Sequence, residues 1–252
     1  MGDKIIEVIG PPGVGKSAIY QALCYQWKPQ CNWIYQDALL APAKPPVSQV
    51  MKWLAHHASL LLGKKLTRTL PVDFGVRFVN EHKELAAFYW NHLSEKGLAQ
   101  NGEAALRFRS AYFLFADFCR YQAIRESPSQ KPCIIDEGFL QKSFLIDADQ
   151  QRMQCLIDQY LAIVPLPHAL VYIDTAHKNI ISERLRNRKK VHISHIGKDE
   201  AALLEETGKW QYLFHTILEK TERKNVLTFK IDGARPIADN VALIKEFLVN
   251  IN

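Results

Sequence analysis

The sequence predicts an α/β protein in which a parallel β-sheet carries helices on both faces. Short apolar segments alternate along the chain with segments of helical periodicity, which is typical of a sheet covered on both sides. The predicted strands are apolar throughout, as expected when both faces of a strand are buried. The first strand leads through a glycine-rich turn directly into a helix.

Five apolar segments are predicted as strands from their length and their apolar content. They cover residues 4–9, 32–35, 132–136, 169–174 and 226–231. Helical periodicity is found after the first strand and around the last three, over residues 17–27, 148–163, 177–190, 199–221 and 237–249.

The segment between the second and third strands is predicted to be a large helical insertion. It begins with a proline-broken loop, ALLAPAKPPVSQ, and continues with three periodic stretches, VMKWLAHHASLLL, NEHKELAAFYWNHL and ALRFRSAYFLFADFCRYQAIRE. The 252 residues, 48% of them hydrophobic, are enough for a single domain with a substantial core.

Charge and composition limit the possible partners. The net charge of +6 is spread along the chain, so it permits anionic partners without indicating a nucleic-acid site. The five cysteines and nine histidines show no zinc-ligand spacing, and no disulfide framework is expected. No segment approaches the roughly 20 apolar residues that span a bilayer, and the first residues show no basic leader before an apolar stretch. A cytoplasmic protein is therefore expected.

Residues 10–17 read GPPGVGKS and match the pattern G-x-x-x-x-G-K-[ST] in full. Glycines let successive backbone amides face phosphate oxygens, and the start of the following helix adds its positive end. Lys16 would reach the β- and γ-phosphates, and the Ser17 hydroxyl would bind Mg²⁺. The predicted nucleotide-binding residues are Gly10, Pro11, Pro12, Gly13, Val14, Gly15, Lys16, Ser17 and Ala18. The alternative is a glycine turn that only joins a strand to a helix.

Two further motifs carry charge near the predicted carboxyl edge of the sheet. In CIIDEGFLQ, Asp136 ends a strand and is predicted to bind Mg²⁺ together with Ser17. Glu137 would contact or activate an acceptor, or be solvated at the sheet edge. In SERLRNRKK, Arg184 and Arg188 share a helix face and would neutralise the transferring phosphate, or form a solvated basic face.

These motifs, in the order GPPGVGKS, IIDEG, and VYID followed by a helix with RLRNR, resemble those of the P-loop nucleoside and nucleotide kinases, which include thymidylate-kinase-like and deoxynucleoside-kinase-like enzymes. The resemblance implies a P-loop NTPase fold with sheet order 2-3-1-4-5, one domain over residues 1–252, and ATP as the phosphate donor. It also implies an acceptor site in residues 38–130 and an arginine-bearing lid over 175–198. Asp37 stands where similar deoxynucleoside kinases carry a carboxylate base.

The sequence departs from this family pattern in two places. The arginine that usually follows the acid of the third strand is missing, because Asp136 is followed by Glu137 and Gly138. The insertion is also longer than a mononucleotide acceptor needs. The acceptor is therefore predicted to be something other than a nucleoside monophosphate, such as a larger metabolite, a sugar or lipid-linked group, or a protein.

Several residues of the insertion are weaker candidates. Arg77, Arg107 or Arg109 could bind an anionic acceptor group in bidentate fashion. The amphipathic stretch that contains Trp53, His56 and His57 is expected to pack on the body of the protein rather than on a membrane or a partner.

The leading functional prediction is an ATP-dependent phosphotransferase that uses Mg²⁺, with Asp37, Asp136 or Glu137 as the proton acceptor. A nucleotide-dependent switch with slow hydrolysis is the alternative, although no NKxD guanine motif is present. A sulfotransferase-like enzyme is the third, although the complete GKS favours a triphosphate. The acceptor and the oligomeric state stay open.

Overall fold

The computed structural model describes residues 4–41, 70–95, 104–143, 150–187 and 199–251, and the single positions 50, 51, 54 and 58. Its five strands are β1 Ile5–Ile9, β2 Ile34–Tyr35, β3 Cys133–Ile135, β4 Ala169–Asp174 and β5 Leu227–Asp232. All neighbouring strands pair in parallel, in the order β2-β3-β1-β4-β5. This confirms the predicted fold class and strand order.

Helices connect the strands and cover the sheet. They are α1 Lys16–Tyr25, α2 Gln36–Leu39, α3 Val72–Glu81, α4 Lys83–Glu95, α5 Ala104–Arg125, α6 Phe139–Lys142, α7 Gln150–Ile163, α8 Lys178–Arg186, α9 Glu200–Arg223 and α10 Ile237–Asn250. The predicted helical insertion between the second and third strands is confirmed, since α3, α4 and α5 all lie there.

Two short helices differ from the sequence prediction. Helix α2 begins at Gln36, at the start of a segment predicted as a loop, and α6 follows directly on the DEG sequence. Each has four residues, which is little more than one turn. Periodicity cannot reveal so short a helix, because a helical pattern needs about two turns to be visible.

The two faces of the sheet have different cores, and β1 shows how its side chains divide between them. Ile6 and Val8 belong to a core formed with α1, α8 and α10. Ile5 and Ile9 belong to a larger core, rich in aromatic residues, formed with α3, α4, α5, α7 and α9. Because side chains alternate along a strand, Glu7 points to the same side as Ile5 and Ile9, and it is only 2% exposed.

The prediction that every strand is apolar and buried on both faces is wrong in two places. Glu7 is a buried carboxyl group inside β1. Strand β5 is only partly covered, and its first residue, Leu227, is 49% exposed. Strand β5 lies at the edge of the sheet, where a strand has a neighbour on one side only.

No helix within the described parts of the chain has both the length and the apolar character that a membrane crossing requires.

Candidate active site

The loop between β1 and α1 adopts a conformation that depends on its glycines. Gly10, Gly13 and Gly15 have φ angles of +149°, +87° and +102°, a range that other residues rarely adopt. At Gly10 there is also no room for a side chain, because a Cβ atom would lie 2.0 Å from the carbonyl oxygen of Ile173. Sequence and backbone therefore agree on a tight loop, called here the phosphate loop (residues 10–15).

The start of α1 carries uncompensated positive charge. Gly15 precedes the helix and offers no side-chain cap, and no acidic residue lies in the first turn. The side chains of Ser17 and Ala18 are exposed there. A helix N-terminus of this kind attracts anions through its first amides and its dipole.

The Lys16 side chain folds back over the phosphate loop. Its Nζ donates hydrogen bonds to the carbonyl oxygens of Gly10 at 2.6 Å and Pro11 at 2.9 Å. The ammonium group is thus held at the loop by two backbone acceptors, which phosphate oxygens can replace.

Asp136 follows β3, the strand next to β1, and is half-buried. Its negative charge helps to raise the pKa of Tyr20 and of the Cys24 thiol in α1, in both cases after the larger effect of burial. Hydroxyl and carboxylate groups, such as those of the exposed Ser17 and the half-buried Asp136, suit Mg²⁺, which takes one or two protein ligands and completes its octahedron with phosphate oxygens and water. The two residues therefore fit the predicted ion.

Asp37 lies in α2 at the end of β2 and is exposed. Its Oδ1 accepts a hydrogen bond of 3.4 Å from the side chain of Gln36. Burial raises the pKa of Cys24 to about 12, with smaller contributions from the charges of Asp136 and Asp37. Both carboxylates therefore act electrostatically on the same thiol of α1.

Arg184 lies against the phosphate loop from the opposite side. Its Nη1 donates to the carbonyl oxygens of Val14 at 3.1 Å and Gly233 at 3.0 Å. A Cβ atom on Gly15 would lie 3.5 Å from the same nitrogen. Helix α8 thus connects the loop to the turn after β5. Arg188, the second arginine predicted here, lies outside the described residues.

A depression opens at the carboxyl end of β3, between α2, α5 and α6, and is called here the acceptor depression. Its described lining residues are Gln36, Asp117, Arg120, Tyr121, Ile124, Ile135, Glu137, Gly138 and Phe139. Glu137, which the sequence offered as an acceptor contact or a solvated residue, lines the depression and is 57% exposed.

Ion pairs organise the polar wall of this depression. The Asp117 carboxylate lies 2.7 Å from Nη1 of Arg120 and 3.0 Å from Nζ of Lys142. Lys142 also lies 3.6 Å from the Glu137 carboxylate. Burial raises the pKa of Asp117, while the charges of Lys142 and Arg120 oppose this shift.

The other predicted residues of the insertion lie elsewhere. Arg77 forms a bidentate pair with Glu126, with both distances 2.8 Å, and Arg109 lies over the ring of Phe113. Neither is among the described residues that line the acceptor depression. The side chain of Arg107 and the residues Trp53, His56 and His57 lie outside the described part of the chain.

Sequence reasoning missed several residues that the fold brings to the site. Those that connect its parts are Glu7, Asp117, Arg120, Gln141 and Lys142. Only Glu7 had a visible signal, a charged residue inside the apolar run IIEVI. The others stand in amphipathic or short segments, where nothing in the sequence separates them from surface residues.

Neither a protein-family model nor a curated protein sequence matches this chain. Among solved structures, it is similar to a deoxyadenosine kinase from M. mycoides with dCMP and dCDP bound, at a TM-score of 0.49 and 14% identity over 98% of this chain and 100% of that one. It is also similar to a shikimate kinase from Bacteroides thetaiotaomicron (TM-score 0.39, 12% identity, 97% of each chain). A gluconokinase from Sinorhizobium meliloti is similar at a TM-score of 0.31 and 16% identity, over 98% of this chain and 95% of that one.

These structures have identities of 12–16% and TM-scores below 0.5, so they carry no argument about the family of this chain. The function therefore has to be argued from the residues of the site.

Proposed function

We propose that this protein is an ATP-dependent phosphotransferase that moves the γ-phosphate of ATP to a small-molecule or larger acceptor in the acceptor depression. The observation that carries the proposal is the phosphate loop, with its three left-handed glycines and the Lys16 ammonium at the start of an uncapped helix. Such a loop is built to hold a polyphosphate by amides, a helix dipole and one lysine.

The loop residues have distinct roles in this proposal. Backbone amides of the phosphate loop and of the Ser17 and Ala18 turn bind the β- and γ-phosphates. Lys16 exchanges its two carbonyl acceptors for phosphate oxygens and stabilises the charge that develops during transfer. Ser17 and Asp136 would hold Mg²⁺, which supplies additional positive charge on the phosphate oxygens when bound.

The remaining charged residues surround the transfer path. Asp37, Asp136 or Glu137 accepts the proton of the attacking hydroxyl group, and Glu137 has the most direct access because it lines the acceptor depression. Arg184 neutralises negative charge from the side of α8. Arg188 is proposed to do the same within the lid of residues 175–198.

The charges of the acceptor depression favour an acceptor without a phosphate group. Its described lining contains two carboxylates, Asp117 and Glu137, and one guanidinium, Arg120, which is already paired with Asp117. The second cation of the described wall, Lys142, lies 3.0 Å from Asp117 and 3.6 Å from Glu137. A phosphate dianion would have to compete with these carboxylates for both cations, whereas the carboxylates can accept hydrogen bonds from hydroxyl or amino groups. This agrees with the absence of an arginine directly after Asp136.

Replacement of Lys16 tests the proposed function. Lys16→Ala is expected to reduce phosphotransfer by about 10²-fold or more, because it removes the only side-chain charge of the GKS motif near the γ-phosphate. Transfer is measured with labelled ATP and Mg²⁺ across a panel of alcohol acceptors, and nucleotide binding is measured by calorimetry. Lys245→Met, which removes an exposed lysine bonded to Gln26, is the matched control.

Unchanged turnover in Lys16→Ala, or no binding of ATP or GTP by the wild-type protein with Mg²⁺, would refute the proposal. Binding with slow hydrolysis and no transfer to any acceptor would instead support a nucleotide-dependent switch.

A further inference from the structure

Helix α6 is a single turn that contacts both the phosphate loop and the wall of the acceptor depression. Its residues follow Glu137 and Gly138 directly, and each of its contacts goes to a different element. It is bonded to β1, to the phosphate loop, to α7 and to α5. A turn of four residues has too few internal hydrogen bonds to be stable alone, so these outside contacts determine where it lies.

The contact to β1 is made by the buried carboxylate of Glu7. Its Oε1 accepts a hydrogen bond of 2.6 Å from the backbone N–H of Gln141, and the backbone of Leu140 also bonds to this carboxylate. Gly138 leaves the necessary space, because a Cβ atom there would lie 2.3 Å from Cδ of Glu7. Gly138 has an ordinary φ of −83°, so the glycine is needed for this close approach and not for its backbone conformation.

The contact to the phosphate loop is made by the Gln141 side chain. Its Oε1 accepts a hydrogen bond of 3.0 Å from the backbone N–H of Gly10, and both residues are buried. Glu7 binds the backbone of Gln141, and Gln141 binds the first amide of the loop. The carboxylate in β1 and the phosphate loop are therefore connected through one residue.

Two more contacts attach α6 to the helical insertion and to α7. Lys142 lies 3.0 Å from the Asp117 carboxylate on the wall of the acceptor depression. The Tyr160 hydroxyl donates to the carbonyl oxygen of Phe139 at 2.6 Å, and the Tyr89 hydroxyl lies 2.5 Å from that of Tyr160. The same short helix is thus attached to the phosphate loop at one residue and to the acceptor depression at the next.

We propose that Glu7 and Gln141 are positioning residues, which hold α6 so that the phosphate loop and the acceptor depression keep the separation that phosphate transfer requires. This inference rests on the proposed function. It concerns residues that touch neither the nucleotide nor the acceptor, and they act through the Gly10 amide and through Lys142. Small displacements of donor against acceptor are costly in transfer reactions, since a shift of about 1 Å can reduce the rate by about 10²-fold.

The surroundings of Glu7 make its charge sensitive to pH. Burial raises its pKa to about 7, while hydrogen bonds from Gln141 and Leu140 and the charge of Lys142 act in the opposite direction. The carboxylate is expected to hold α6 most firmly when ionised, because an ionised group accepts stronger hydrogen bonds.

Two tyrosine hydroxyls, those of Tyr89 and Tyr160, also interact with Glu7. Burial raises the pKa of both Tyr89 and Tyr160 far above neutrality, and the negative charge of Glu7 adds to this shift. In the neighbouring strands, Glu7 is paired with the apolar residues Ile135 and Leu170.

Nuclear magnetic resonance tests the link between the Glu7 carboxylate and the Gly10 amide without requiring any enzymatic activity. In the full-length, nucleotide-free protein, the amide resonance of Gly10 is expected to shift with a midpoint near the Glu7 pKa of about 7. The shift should be lost in Glu7→Gln, which has the same shape but no titrating charge, and in Gln141→Met, which removes the acceptor and leaves Glu7 in place. Glu222→Gln, which alters a carboxylate bonded to Thr228 and Lys230 beside β5, should keep it.

Kinetics test the positioning role. Both Glu7→Gln and Gln141→Met should lower kcat by about tenfold or more, with the ATP dissociation constant changed by less than about threefold. The acidic limb of the wild-type pH–kcat profile should be flattened in Glu7→Gln. Two variants are used so that a folding defect in one does not decide the result.

The outcomes separate this inference from the proposed function. A Gly10 shift that is absent in the wild type or persists in Glu7→Gln overturns the link, and a kcat within about twofold of wild type in both variants overturns the positioning role. If the wild type transfers no phosphate while Gly10 titrates through Glu7, the proposed function fails and the link is supported. If transfer is normal and both variants behave as wild type, the inference alone fails.

Discussion

At the level of a single residue, Glu7 holds α6 in place although burial of its charge is unfavourable for the stability of the fold. The carboxyl group lies among aromatic and aliphatic side chains, where ionisation is unfavourable. It is nevertheless bonded to two backbone amides that favour the ionised form. An apolar residue would serve the core better here, so the hydrogen bonds to α6 give a structural reason for a carboxyl group in β1.

The pH dependence of stability follows from the raised pKa of Glu7. The folded pKa of about 7 lies above the ordinary value of 4.5, so between these values the folded protein keeps a proton that the unfolded chain has released. The contribution of Glu7 to the free energy of unfolding is therefore greatest below about pH 4.5 and falls as the pH rises to about 7. The total loss is roughly 3 kcal/mol.

Glu7→Gln is expected to remove this dependence. The free energy of unfolding of the wild type, minus that of the variant, should fall by roughly 3 kcal/mol between pH 4.5 and pH 8. Urea denaturation of both proteins across this range measures the difference, and groups common to both cancel. A difference that stays constant with pH would show that the pKa of Glu7 is the same in the folded and the unfolded protein.

At the level of elements, α8 and α6 hold the phosphate loop from opposite sides. Arg184 of α8 donates to the Val14 carbonyl oxygen, and Gln141 of α6 accepts from the Gly10 amide. Both ends of the loop are therefore bonded to residues far away in sequence. The loop shape depends on its own glycines and on these two contacts.

Arg184→Met should loosen the α8 side of the loop. It removes two hydrogen bonds, each worth about 1 kcal/mol, and one of the positive charges predicted to neutralise the nucleotide. The ATP dissociation constant is expected to rise by about tenfold or more in calorimetry. Glu183→Gln, on the exposed side of the same helix, is the control and should bind ATP as the wild type does. Wild-type affinity in Arg184→Met would exclude a role for this arginine in nucleotide binding.

At the level of the whole molecule, the sheet order places the donor and acceptor parts of the site next to each other. Strands β1 and β3 are neighbours, so the phosphate loop after β1 and the Asp136–Gly138 turn after β3 meet at one edge. Helix α5 of the insertion lies beside that edge and lines the acceptor depression. Parallel sheets commonly bind ligands at such a carboxyl edge.

The charges of the acceptor depression predict which acceptors are used. Alcohols without a phosphate group should be phosphorylated with kcat/KM at least about tenfold higher than their monophosphates, because the cations of the described wall, Arg120 and Lys142, are already paired with Asp117 and Glu137. The measurement is transfer of labelled phosphate from ATP to matched pairs of each alcohol and its monophosphate, together with sugars and polar lipids. Strong activity on an ordinary nucleoside monophosphate would contradict this.

Much of the fold could be predicted because its signals are local. The GPPGVGKS motif, the apolar strands and the alternation with helices lie in contiguous segments, and they led to the correct sheet order through the resemblance of their motifs to P-loop kinases. The short helices α2 and α6 were missed because four residues carry no periodic pattern. Strand β5 was predicted as buried because its composition does not reveal its position at the edge.

The sequence by itself determined the phosphate loop, because a glycine conformation, a lysine and a helix start are properties of eight consecutive residues. Only the tertiary structure decided what surrounds that loop. Glu7, Asp117 and Gln141 come from distant parts of the chain. Each contributes to the site only because the fold brings it into contact with α6 or with the phosphate loop. The physical reason is that the cost of burying a charge or an amide depends on the partners it meets, and those partners are brought together by the packing of the whole sheet.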